Sequence, residues 1–327
     1  MGLFKRNGDG EDIEIISKPR RNECGGTYRY RDRNVPTSIT SNEMVFFEVT
    51  SALGRTVKKN EEDALGYVSA YASPSDSGTF LYLETAANSF RGGDRRRRWG
   101  LIKDDLFPDL AVLVSELGLV KGNGLHSTTH GLPENFGGDV LIRYASGEKI
   151  SFSDNRSPII SEEAARRIVG LFRDALEREK VPLPDVSSLT EIRFSEKRKD
   201  GFTEAMLRVN SDGTGTNIRR SQYPGTEIFE SEKSVGADTV VGIKETIERC
   251  GLLAQAGLPD SAPVVKDMER TMVFVFSDGK EVVVNDCKVL PNGIRGGFFD
   301  IELEMTAKRR GRGEVPNTMK AASVQRR

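Results

Sequence analysis

Cysteine is nearly missing from this chain of 327 residues: Cys24, Cys250 and Cys287 are all there is, and no two of them form a CxxC. An odd, sparse set supports neither a disulfide framework nor a zinc site. Histidine is scarcer still, with only His126 and His130, and Trp99 is the single tryptophan. The longest purely aliphatic run, Leu110–Val114, falls far short of the roughly 20 apolar residues that a membrane-spanning helix needs. The opening Met1–Arg6 is charged but no apolar stretch follows it, so no secretory signal is expected. Arg6 stands where a myristoylation signal requires Ser or Thr. No GxSxG elbow, no GxxxxGK[ST] phosphate loop and no GxGxxG after a strand is present. These absences point to a cytoplasmic protein without membrane association, and to no cofactor.

Charge is abundant and unevenly placed. Charged residues make up 30% and the formal net charge is −1. The segment 307–327 holds Lys308, Arg309, Arg310, Arg312, Lys320, Arg326 and Arg327 against Glu314 alone, a net of +6 that leaves −7 for the rest. A mildly acidic body with a basic end differs from a dedicated nucleic-acid module, whose basic surface belongs to the folded domain.

The strongest signal is internal repetition. The stretch from Phe107 onward lies over the stretch from Val240 onward with an offset of 133 that slips once to 132. Gly118-Leu119 meets Gly251-Leu252, and Gly124-Leu125 meets Gly257-Leu258. The hairpin Val140–Ser153, with Ser146-Gly147 at its tip, meets Met272–Asn285, with Asp278-Gly279 at its tip. Upstream, Ser77-Gly78-Thr79 faces Asp212-Gly213-Thr214. Glycines and apolar positions are copied and polar ones are not, so the repeat carries fold rather than chemistry.

Periodicity assigns the elements. Phe107, Leu110, Val114 and Leu117 recur at helical spacing with Gly118 as the cap, and Val240, Ile243, Ile247 and Cys250 do the same before Gly251. A further helix is expected over Glu162–Arg178, starting after Ser161, whereas Phe298–Met305 alternates like a strand. Residues 121–138 read as a loop. The expected architecture is α+β: a tandem duplication of an antiparallel sheet with one amphipathic helix packed on it. The segments are an N-terminal arm 1–38, a first repeat 39–180 with an extra C-terminal helix, a linker 181–185, a second repeat 186–306 and a disordered basic tail 307–327.

The run Phe274-Val275-Phe276-Ser277-Asp278-Gly279-Lys280, with Pro291 after it and an amphipathic helix before it, resembles an uncharacterised group of bacterial, gut-associated proteins with β-sheet-plus-helix repeats. The resemblance covers most of the second copy and more weakly the first. The aromatic-Asp-Gly segment common in that group is absent from Gly257-Leu258-Pro259-Asp260. What the resemblance implies is a fold, without an activity.

Candidate chemistry is thin. His126 and His130 form an HxxxH with no nearby Glu, in a segment read as loop, so no metal site is expected. Cys250 falls on the buried helix face and reads as a small core residue. The carboxylates are scattered, with no pair in apolar surroundings. The sharpest local feature is Arg95, Arg96, Arg97 and Arg98 followed by Trp99, where cations and an indole could hold phosphates and stack a base; Tyr28-Arg29-Tyr30-Arg31 has the same style. Against that stands a structural role, with Trp99 packed at the foot of the helix near Asp105 and the arginines solvated. The leading expectation is a non-catalytic protein that binds a partner protein through its repeats. The alternative is a weak nucleic-acid binder using Arg95–Arg98, Trp99 and the basic tail. An enzyme is the least supported class. Because 307–327 has almost no apolar periodicity, its deletion is expected to leave the melting temperature within about two degrees of the full chain in a thermal scan.

Overall fold

The computed structural model describes residues 13–17, 27–53, 65–87, 95–132, 136–258, 268–286 and 292–306. They form two sheets and four helices, a mixed α+β fold. The tail 307–327, Cys24 and Cys287 lie outside the described residues. Among the described residues no helix is long and apolar enough to cross a membrane.

The first sheet has nine strands: β1 (Ile13–Ser17), β2 (Thr27–Asp32), β3 (Met44–Ala52), β4 (Tyr67–Ser75), β5 (Gly78–Ala86), β6 (Arg96–Ile102), β7 (Leu125–Thr129), β8 (Gly138–Tyr144) and β9 (Lys149–Asp154). Their order is β1-β2-β7-β9-β8-β3-β4-β5-β6. All pairings are antiparallel except β7 with β9, a parallel contact of His126 with Ser153 and Ser127 with Asp154. The N-terminal arm therefore contributes two strands, and 125–129, read as loop, is the strand that joins them to the sheet. Helices α1 (Phe107–Glu116) and α2 (Glu162–Leu176) cover one face. Ser161 caps α2 by accepting from the Ala164 N–H at 3.1 Å, as its place before Glu162-Glu163 requires.

The second sheet has six strands: β10 (Leu189–Arg198), β11 (Gly201–Val209), β12 (Gly215–Gln222), β13 (Phe229–Val235), β14 (Met268–Phe276) and β15 (Glu281–Asn285), in the order β13-β12-β11-β10-β14-β15. Helices α3 (Ala237–Arg249) and α4 (Asn292–Thr306) pack on it. Each sheet thus carries two helices rather than one. The strand expected over Phe298–Met305 is helix: Phe298, Ile301 and Met305 are the buried positions, a three-then-four spacing that period-two alternation happened to share. In the hairpin β14–β15, β14 is interior, but β15 is the edge and Val283 points to solvent.

The two sheets are not buried alike. Strands β4 and β5 are buried along almost their whole length, because the face away from α1 and α2 is covered too. Phe46, Tyr71, Phe80, Tyr82 and Leu101 form a third apolar cluster there, closed by Ala254 of the 3₁₀ turn Leu252–Gln255 and by Trp99 and Leu258. The Ser75 hydroxyl donates to the Ala256 carbonyl at 3.0 Å. The outer face of the second sheet is instead wet and ionic: Arg193 bonds Glu191 at 2.5 Å and Glu281 at 3.0 Å, and Arg208 bonds Glu191 at 3.0 Å. The segment 181–185 is no free linker, since Val181 and Leu183 pack into these clusters.

Gly118 and Gly251 end α1 and α3 in the left-handed region, at φ of +62° and +61°. Their surroundings differ. A Cβ on Gly118 would lie 3.4 Å from the flexible Lys121 side chain, whereas one on Gly251 would lie 2.5 Å from the Trp99 ring. Gly118→Ala is expected to cost about 1–2 kcal/mol from backbone strain, and Gly251→Ala a further 1–3 kcal/mol or so from overpacking. Urea midpoints of the two variants measure this, and equal losses would mean the Trp99 contact constrains nothing.

Candidate functional site

Residues 95–99 lie at the end of the first sheet, and strand geometry splits them. Alternate side chains leave opposite faces, so Arg97 and Trp99 share the face of Tyr82 and Glu84, their cross-strand partners, while Arg96 and Arg98 face the other way. Glu84, only 3% exposed, accepts from Arg95 Nη1 at 2.6 Å and Arg97 Nε at 3.2 Å and takes a short hydrogen bond from the Tyr82 hydroxyl. The Arg95 guanidinium also sits 4.9 Å above the Tyr67 ring. On the opposite face Arg98 pairs with Glu177 at 3.1 Å. Arg95 and Arg97 thus serve Glu84, since burying one partner of an ion pair without the other is costly. Burial, and then the Glu84 contact, push the Tyr82 hydroxyl far up.

Trp99 is half-buried, on the far side of the sheet from α1. Its indole N–H donates to the Arg249 carbonyl at 3.3 Å, one of the carbonyls that the end of α3 leaves without a helical partner. It lies against the bare Cα of Gly251. The arginines and the tryptophan are therefore adjacent but bound into two separate arrangements. In the motif Tyr28-Arg29-Tyr30-Arg31 the two tyrosines share one face of β2 and the arginines the other; Tyr28 meets His130 edge-on at 5.1 Å, and Tyr30 stacks on His126 at 4.9 Å.

His126 Nδ1 is 2.9 Å from the Ser153 hydroxyl and its Nε2 is 3.7 Å from Asp32 Oδ2, a tie across β2, β7 and β9. His126 and His130 are four residues apart along extended chain, about 13 Å, so they do not face a common ion. Among the described residues no group of His, Cys, Asp and Glu is arranged to hold a metal. Cys250 is buried, burial raises its thiol pKa, and a Cβ on Gly297 would meet its sulfur at 2.7 Å. Arg270 lies among Glu196 at 2.8 Å, Glu302 at 3.5 Å and Asp286 at 3.6 Å, fastening α4 to β10 and β14. A cation already occupies the middle of that acidic group.

A carboxylate pair was overlooked in the sequence. Glu48 stands opposite Leu141 and Tyr71, and Asp139 lies on the neighbouring strand two residues along. Burial foremost, then the charge of Asp139, push the Glu48 carboxyl up to about 7 against the pull of Arg143. Burial raises Asp139 as well. The available signal was that Glu48 is the sole charge within the apolar run Met44–Val49.

The least covered element is β13. It ends its sheet, and its residues are exposed on both faces save for the half-buried Ser231 and Val235. Helix α2 reaches across β4, β5 and β6, but α4 lies over β11 and β12 and makes no substantial contact with β13. Of the other edge strands, β1, β6 and β15, β6 is capped by the returning chain: the Lys103 N–H donates to the Glu179 carbonyl at 3.0 Å, and the Val181 N–H to the Leu101 carbonyl at 2.8 Å. No such cap lies on β13 among the described residues. At its start, Tyr223, Ile228 and Phe229 are each about half exposed, beside a pocket of about 280 Å³ lined by Phe202, Tyr223, Pro224 and Met268 among others.

Neither a family model nor a curated protein matches this chain.

The raised Glu48 carboxyl makes stability depend on pH. Between 4.5 and 7 the folded chain holds a proton that the unfolded chain has released, so this site's contribution falls as pH rises through that window. Glu48→Gln should raise stability by about 1–3 kcal/mol above pH 7 and have little effect below the lower limit. Denaturant midpoints across the range test this, and parallel curves for both proteins would show that Glu48 titrates normally.

Proposed function

We propose that this is a cytoplasmic, non-catalytic binding protein that engages a partner protein through its second sheet. The observation carrying this reading is β13, which ends its sheet with no strand paired beyond it among the described residues and exposes Glu230 and residues 232–234. An uncovered edge presents backbone N–H and C=O groups in register for another strand, a hazard that folded proteins normally manage. The first sheet does so at β6, where residues 179–181 run along the strand.

The chain is further proposed to be a tandem pair of one unit. Supporting this, four strands, a helix, two strands and a helix follow one another in both halves once β1, β2 and β7 are set aside. The strand orders β9-β8-β3-β4-β5-β6 and β15-β14-β10-β11-β12-β13 correspond position by position. In this reading the first unit has become the support and the second the docking module. Nucleic-acid binding at Arg95–Arg98 and Trp99 has no specific observation in its favour: a phosphate would have to draw Arg95 and Arg97 from Glu84 and Arg98 from Glu177. A base would have to displace Gly251 from Trp99.

A photo-crosslinking residue at Ser234, exposed on β13, is expected to yield discrete protein adducts in an extract of the source cells. The same residue at Val112, exposed on α1, should not. Identical adduct patterns from the two positions would remove the reading.

A further inference from the structure

We propose that the occupant of β13 is an extended segment of the partner with lysine or arginine at alternate positions, added antiparallel as a seventh strand of the second sheet. This inference rests on the partner-docking reading above and names the chemistry of that partner.

Charge on β13 carries the assignment. Glu230 and Glu232 are two residues apart and project from the same face, the one away from α3 and α4. Glu230 lies opposite Arg220, yet the ion pair is long, 3.9 Å, and Arg220 is equally distant from Glu204 on β11. Glu232 lies opposite Ile218 and has no ion-pair partner among the described residues. On the same face Glu191, by contrast, is closely matched by Arg193 and Arg208. The acidic pair at the edge is thus left without close cations on its own sheet.

A strand added to that edge would put its alternate side chains directly beside Glu230 and Glu232, at the spacing where opposite charges pair across strands. The backbone ladder would supply most of the affinity, and the side-chain row the selection. On the other face such a strand meets Phe229, Ser231 and Val235 with Lys233 among them, a surface suited to aliphatic side chains between the basic ones. Affinity should fall with added salt, since both carboxylates are exposed.

The test uses the full chain and two labelled, end-blocked peptides as long as β13, one alternating lysine with valine and one alternating glutamate with valine. The lysine peptide should bind saturably in fluorescence anisotropy and slow amide hydrogen exchange at 229–235. The glutamate peptide should not bind. In the E230K/E232K variant the preference should reverse, with the lysine peptide weakened about tenfold or more. Both positions are exposed, so folding should survive, and exchange protection in the unmodified protein is a readout independent of the variant. Absence of saturable lysine-peptide binding, binding without protection at 229–235, or equal binding by the variant would each overturn the proposal. Binding seen only after deletion of 307–327 would assign the edge to the chain's own basic end and overturn an external partner. Discrete adducts from Ser234 alongside an unbound lysine peptide would leave partner docking in place and remove its basic character.

Discussion

The contact between the Trp99 indole and the bare Cα of Gly251 sets how the two halves of this chain meet. The left-handed cap at Gly251 lets α3 end, and the missing Cβ lets the indole approach closely enough for its N–H to reach the Arg249 carbonyl at 3.3 Å. One aromatic side chain thereby satisfies a helix end and locates the second half against the first. The 3₁₀ turn after Gly251 then places Ala254 over Phe80 and Tyr82. Burying the second face of β4 and β5 follows from that placement, as does their nearly continuous apolar character, a pattern expected of strands covered on both sides.

Burial on two faces has an electrostatic consequence. Polar residues of the outer face fall in one row across the strands, from His126 and Ser153 through Asp139, Thr50 and Ser69 to Glu84 and Arg97. Where the second half covers this row, Glu84 is held by Tyr82, Arg95 and Arg97. On the same face, burial foremost and then Asp139 push the Glu48 carboxyl up to about 7 against the pull of Arg143. The two glutamates, on β3 and β5 of one face, therefore have different neighbours: Glu84 has arginines within hydrogen-bonding distance and Glu48 a second carboxylate nearby.

The asymmetry between the halves bears most directly on function. Capping β6 and covering one outer face protect the first sheet along that side, while the corresponding strand of the second, β13, ends its sheet without such a cap among the described residues. An extra covering helix turn or a returning segment would have protected it too, and neither is present among the described residues. The charges of β13 do discourage random strand pairing, which is compatible with selective rather than general adhesion.

Helix positions, caps and hairpins were legible because each depends on local periodicity and on glycines at turns: Leu110 with Val114, Ile243 with Ile247, and Gly118, Gly147, Gly251 and Gly279 all stand where the sequence placed them. The segment Phe298–Met305 was misread because alternation over eight residues satisfies both periods, and only packing against β11 and β12 selects the helix. The strand Leu125–Thr129 was hidden by its glycine-rich flanks and by pairing with β2, far away in sequence. Composition and spacing alone determined the mixed architecture and the repeated arrangement of glycines and apolar residues. Which face of Arg95–Trp99 is covered, which carboxylates meet, and which edge stays bare were decided by the tertiary structure. Those outcomes depend on contacts between residues as distant as Trp99 and Gly251, and no local pattern records them.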